Sequence, residues 1–225
     1  AGLTVGVATL IIVMSVMNGF ERELQNRILG VIPHALIHSK EPIDKYDELI
    51  EEILTVNQVE EAVPFIQMQS LISNGTESRG VLLTAVDPQY EKNVSILEDH
   101  MKTGSISNLQ SGQIIIGFWL AAYLGVSVGD EISILTSEVR TSLLGSFPRS
   151  FIFKISGIFE LKAEPDQNLV IISHLDGQKI KNYDNQTQSI RLKVSDVMQS
   201  RQIASETVFK ISNANTSYAS STWEK

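Results

Sequence analysis

Residues 1–20 read AGLTVGVATLIIVMSVMNGF, and none of them is charged. All 18 basic and 26 acidic residues of the 225-residue chain stand at position 21 or later. Against the chain's 20% charge, a window this clean arises by chance about 1% of the time, and twenty residues is about the length that a bilayer helix needs. Leu3, Val5, Val7, Leu10, Ile11, Ile12, Val13, Val16 and Phe20 together favour insertion by roughly 4 kcal/mol. Thr4, Thr9 and Ser15 take some of this back but fall on different faces, so no polar stripe is left to meet water. The segment reads as an N-terminal transmembrane helix. A buried core helix and a cleaved signal peptide are the alternatives, and the second lacks both a basic leading region and an A-x-A-like site. A chain that opens on Ala reads as part of a longer protein. The flank Glu21-Arg22-Glu23 has no basic excess, which favours the non-cytoplasmic side for the residues C-terminal to it.

Within the run, Gly2 and Gly6 form a G-x-x-x-G that lets bilayer helices approach closely. Met14, Met17 and Phe20 recur at i, i+3, i+6 as one polarisable face. That face either packs against a neighbouring helix or meets an acyl chain.

The remaining chain is acidic, with a net charge of -8. It therefore has no chain-wide source of phosphate attraction, and nucleic acid is excluded as the expected partner. The absence of cysteine removes disulfides, thiolate nucleophiles and Cys metal sites.

Helical spacing continues through about Gly30 as a stalk, and Gly30 and Pro33 end it. A strand is expected at 34–39, an amphipathic helix at 43–53, and strands at 59–63, 65–73 and 79–86, the last two split by Asn74-Gly75. After Asp87-Pro88 a loop-like stretch leads to a strand at 113–116 and a helix at 118–124 that Gly125 caps in the left-handed conformation. Strands follow at 131–136, 150–161 and 168–173, then a helix at 175–181. A last strand at 189–194 precedes a helix capped by Ser195 or Asp196.

This order gives an α+β class: a transmembrane helix and stalk (1–31), a split α+β subdomain (32–90 and 185–225) and an inserted β-rich subdomain (91–184). Residues 136–150, TSEVRTSLLGSFPRS, carry Leu143, Leu144 and Phe147 where a hairpin connection turns. These either fold back on the core or form an exposed tip offered to a partner.

No motif for phosphate binding, nucleophilic hydrolysis or metal binding is present. His34 and His38 would lie about 13 Å apart on a strand, too far for one metal ion. The expectation is a non-enzymatic protein with no cofactor, no metal site and no catalytic residue.

Several stretches carry a family resemblance. MSVMNGF at 14–20 with ERELQ after it, ILGVIPH at 28–34, AVDP at 85–88, the run from Gly112 through AAYLGV to Gly129-Asp130, GIF at 157–159, IRLKV at 190–194 and TWE at 222–224 resemble the lipoprotein-releasing permeases (LolC/LolE type) of Gram-negative ABC transporters. The likeness covers essentially the whole chain. It implies the first span and large periplasmic domain of an inner-membrane permease, built from a membrane-proximal porter-like part and an inserted sabre-like part similar to those of MacB. It also implies a transport role. A separate cytoplasmic ATPase (LolD-like) would drive extraction of acylated lipoproteins, a second permease copy or paralogue would complete the complex, and a periplasmic carrier (LolA-like) would receive the cargo. On that reading Val13, Met14, Met17 and Phe20 contact lipoprotein, and Leu143, Leu144, Phe147, Pro148 and Arg149 form a carrier-binding loop. A MacB-type efflux permease or an FtsX-like mechanotransmission permease is the alternative.

Overall fold

The computed structural model describes residues 2–142, 145–212 and 217–222, without the side chains of 3, 5, 20–29, 137–142 and 145–147. One long helix, α1 (Gly2–Leu29), precedes a mixed sheet. The strands are β1 (Ala35–Ile43), β2 (Val59–Ser73), β3 (Ser78–Val86), β4 (Met101–Thr103), β5 (Gln113–Gly117), β6 (Glu131–Ser142), β7 (Gly145–Phe159), β8 (Leu169–Ser173), β9 (Thr187–Val194) and β10 (Tyr218–Thr222). The further helices are α2 (Tyr46–Ile53), α3 (Glu91–Val94), α4 (Phe118–Leu124), α5 (Pro165–Asn168), α6 (His174–Lys181) and α7 (Ser200–Ile211). The chain is α+β.

Strand order is β10-β1-β9-β2-β3-β8-β5-β7-β4, with β6 pairing β2 and β7. The pairs β3–β8 and β5–β7 are parallel and the others antiparallel. Every strand from 32–90 and 185–225 sits at one end of this order, and every strand from 91–184 at the other. The two groups meet where β3 pairs β8 and β2 pairs β6.

Alternation along the strands separates two faces. On one face α2 and α7 cover Ala35, Ile37, Ala62, Ile190 and Leu192. The same face continues as Ile66, Leu83, Ala85, Ile114 and Ile172, with α4 and α6 contributing Leu120, Leu124 and Ile180. The opposite face carries Phe65, Val86, Ile115, Leu169 and Ile171 under Val31, Leu97, Ile106 and Leu161. The second of these cores draws on both chain segments, because the far halves of β2 and β3 pack with β5, β6 and β8.

β2 runs unbroken through Pro64, where two shorter strands were expected. From Val59 to Pro64 β2 pairs only with β9, and β3 joins from Phe65 onward, so the missing proline N–H falls on an unpaired edge. Gly125 caps α4 at φ 64°, and Asp196 accepts a hydrogen bond from Met198 N, both as read from the sequence. β10, in contrast, had not been expected.

α6 is anchored by polar contacts. Burial alone would push the Asp176 carboxyl up, but hydrogen bonds from Ser111 Oγ (2.6 Å), Gly112 N (2.8 Å), Ser173 Oγ (2.9 Å) and Lys179 Nζ hold it below its ordinary value. Beside it His174 is buried, with Nε2 3.1 Å from Thr187 Oγ1 and Tyr46 edge-on at 5.7 Å. Burial pushes its pKa down to about 4, against a small opposing pull from Asp47. The native imidazole therefore stays neutral while that of the unfolded chain protonates from about pH 6.5 downward. Stability is fully present above that pH and falls between pH 6.5 and 4, by roughly 2 to 3 kcal/mol. Denaturant unfolding at pH 7 and pH 4.5 is expected to show this loss in the parent protein, and His174→Gln should remove most of the difference.

Candidate functional site

α1 is 28 residues long, about 42 Å at 1.5 Å per residue. Val7, Leu10, Ile11, Ile12, Val13, Met14, Val16 and Met17 are all exposed on it, so nothing among the described residues covers them. Val13, Met14 and Met17 share that surface, and the Phe20 side chain lies outside the described residues. Among the described residues no helix is long and apolar enough to cross a membrane. The transmembrane expectation for 1–20 rests instead on the uncharged run and on this uncovered apolar surface.

The end of α1 is tied to the sheet by one guanidinium. Arg191 on β9 is 3% exposed and points to the face opposite α2 and α7. It donates to Glu91 Oε1 (3.0 Å), to Val31 O (2.8 Å) just past α1, and to Val94 O (3.2 Å) at the end of α3. Its carbon lies 5.9 Å from the Phe65 ring centroid. Two further bonds run in parallel, from Ile96 N to Gly30 O (3.0 Å) and from Lys193 Nζ to Asn93 O (2.6 Å). Burial holds the Glu91 carboxyl above its ordinary range, and Arg191 with the neighbouring Ser95 offsets only part of that rise. The sequence reading missed this node. A lone arginine among the apolar residues of IRLKV was the available signal, but nothing in the sequence pointed to a partner 100 positions away.

The stretch 136–150, expected as a loop between two strands, is instead mostly paired strand. β6 and β7 continue as a two-stranded arm to Ser142↔Gly145, with a register shift after Thr136. Beyond Thr136, among the described residues, β6 pairs only with β7. Leu143 and Leu144 lie outside the described residues. Phe147 stands opposite Arg140 in the ladder, and its side chain also lies outside them. Pro148 is exposed. Arg149 is not free: it donates to Ile180 O (3.0 Å) and Asn182 Oδ1 (2.8 Å) at the end of α6, and stacks 4.9 Å from the Phe151 centroid. It roots the arm rather than decorating its tip.

The remaining titratable groups do not gather into a reactive centre. His34 Nδ1 accepts from Val194 N at 3.3 Å, which is a structural role. Among the described residues no group of three or more His, Asp or Glu is placed to hold a metal ion.

A long exposed helix joined by buried hydrogen bonds to an α+β sheet has relatives. The family model of the MacB-like periplasmic core domain matches residues 1–208. The chain belongs to that family. This core domain is 32% identical over 228 residues to the lipoprotein-releasing system transmembrane protein LolC of Xylella fastidiosa, covering all of the chain and 54% of that protein. It is 32% identical to LolC of Neisseria meningitidis (87% of the chain, 48% of the relative) and 30% identical to LolE of Haemophilus influenzae (90% and 50%). The chain thus spans about half the length of the curated relatives it matches. In structure it resembles the extracellular domain of the Gram-positive ABC-type transporter YknZ, with a TM-score of 0.54, 14% identity and coverage of 83% of this chain and 98% of that one. The periplasmic region of MacB from Actinobacillus actinomycetemcomitans gives 0.53, 11%, 89% and 94%. These two likenesses concern the fold.

The tie at the foot of this core domain is testable. Arg191→Leu leaves the Glu91 charge buried without its partner, which costs about 3 to 5 kcal/mol. Denaturant unfolding followed by tryptophan fluorescence should show that loss, and Arg191→Lys should recover only part of it because an ammonium lacks the planar fork.

Proposed function

We propose that this chain forms the first membrane span and the periplasmic domain of an ABC transporter permease that extracts lipoproteins from the inner membrane and passes them to a periplasmic carrier. The observation that carries this reading is the 30 to 32% identity, across 87 to 100% of the chain, to proteins named for lipoprotein release. The physical picture is in keeping. A lipid anchor resists exposure to water by about 0.8 kcal/mol per CH₂, so release needs energy input and a covered path. α1 offers an uncovered apolar surface, with Val13, Met14, Met17 and Phe20 as the contacts at its outer half. ATP hydrolysis belongs to a separate cytoplasmic subunit, and a second permease copy or paralogue completes the cavity.

In this scheme the Arg191 tie makes the ectodomain follow any movement of α1. The split α+β part stays near the membrane, and the β-rich part holds the β6–β7 arm toward the carrier. Leu143, Leu144, Phe147 and Pro148 form the contact surface, and Arg149 holds the arm at its root.

Two measurements test the scheme in the full transporter. Met14→Asp or Met17→Asp should lower lipoprotein release at least tenfold while the complex still assembles, and unchanged release removes the α1 path. A photocrosslinker at position 147 should capture the carrier during turnover. Arg149→Ala should weaken that adduct several-fold, and a working complex that yields no adduct removes the arm from the transfer step.

A further inference from the structure

The sheet face opposite α2, α6 and α7 is not fully covered. A cavity of about 750 Å³ runs across it, within the range of small-ligand sites, and touches six consecutive strands, β10-β1-β9-β2-β3-β8. Five inter-strand spacings make it about 24 Å long. Half the hydrocarbon core of a bilayer, about 15 Å, is the reach of one acyl chain, so a whole chain fits along this trough.

Its floor is mostly apolar, with Leu36, Phe65, Leu82, Val86, Leu169 and Ile171, interrupted by Gln67, Thr84 and the Arg191 guanidinium, and Glu164 also lines it. Val31, Ile32 and Pro33 wall it where α1 ends, so a lipid beside α1 would meet this opening. Of the three buried polar atoms without a partner among the described residues, one belongs to a residue that lines the trough. Glu91, 2% exposed, gives Oε1 to Arg191, while its Oε2 has no hydrogen-bond partner. An orphaned carboxylate oxygen deep in a mostly apolar trough accepts a donor and disfavours any head that can only accept. Arg201 stands at the rim and supplies the cation for a phosphate.

We propose that this trough binds an aminophospholipid, with one acyl chain along the strands, the primary ammonium donating to Glu91 Oε2 and the phosphate at Arg201. The site differs from the α1 surface and from the arm. It fits phosphatidylethanolamine over phosphatidylcholine, since a quaternary ammonium has no N–H to give.

The test uses the full chain in phosphatidylglycerol nanodiscs doped with a phosphatidylethanolamine or a phosphatidylcholine that carries a diazirine on one acyl chain, with adducts mapped by mass spectrometry. The ethanolamine probe is expected to label peptides containing residues 31–36 and 79–86 at least tenfold more than the choline probe. Both probes should label α1 equally, which serves as the internal reference. Glu91→Gln should abolish the head-group preference. Leu82→Trp, at a half-buried position that tolerates bulk, should remove trough labelling while sparing α1. Equal labelling by the two probes, adducts confined to α1, or trough adducts that survive Leu82→Trp would each overturn the site. Because no lipoprotein or ATPase takes part, these outcomes are independent of lipoprotein release.

Discussion

A guanidinium buried inside a sheet is tolerable only if each of its donors finds an acceptor, and the way Arg191 meets that demand organises the molecule. Its partners come from two places distant in sequence: the Val31 carbonyl just past α1, and α3, which gives the Glu91 carboxylate at its start and the Val94 carbonyl at its end. Removing such a charge from water costs several kcal/mol before pairing. The structure therefore holds these two segments against β9. Arginine suits this role because its planar fork addresses several acceptors at once.

Much of the architecture was written locally. The uncharged run, the stop at Gly30 and Pro33, the Gly125 cap and the alternation of β3, β5, β8 and β9 all depend on neighbours within a few residues, and each was readable. What was not readable depends on distance. β10, with the polar sequence YASST, is a strand because β1 offers it an edge. The arm beyond Thr136 is extended because β6 and β7 pair with each other. Glu91 and Arg191 gave no sign of their pairing, since one follows a turn and the other sits in a strand. Arg149, one of the residues singled out for carrier contact, also hydrogen-bonds the end of α6, a contact that only the fold could reveal.

The two faces of the sheet divide the labour. One is sealed by helices and supplies most of the apolar core. The other is closed by loops and the short helices α3 and α5, within 31–33, 91–97 and 161–168. Single helical turns and loops cover a sheet less completely than long helices do, and the open trough lies on that side, next to the foot of α1. The groups that join the helix to the ectodomain and those that could greet a lipid are therefore the same small neighbourhood.

β2 carries a mechanical implication of its own. At 15 residues it extends about 50 Å. It is hydrogen-bonded to β9 at one end, to β3 along the rest and to β6 near its tip. A continuous ribbon of this kind resists stretching far more than it resists twisting. A tilt imposed at the end that pairs with β9 would emerge at the other as a rotation of whatever is fastened there, with little damping in between.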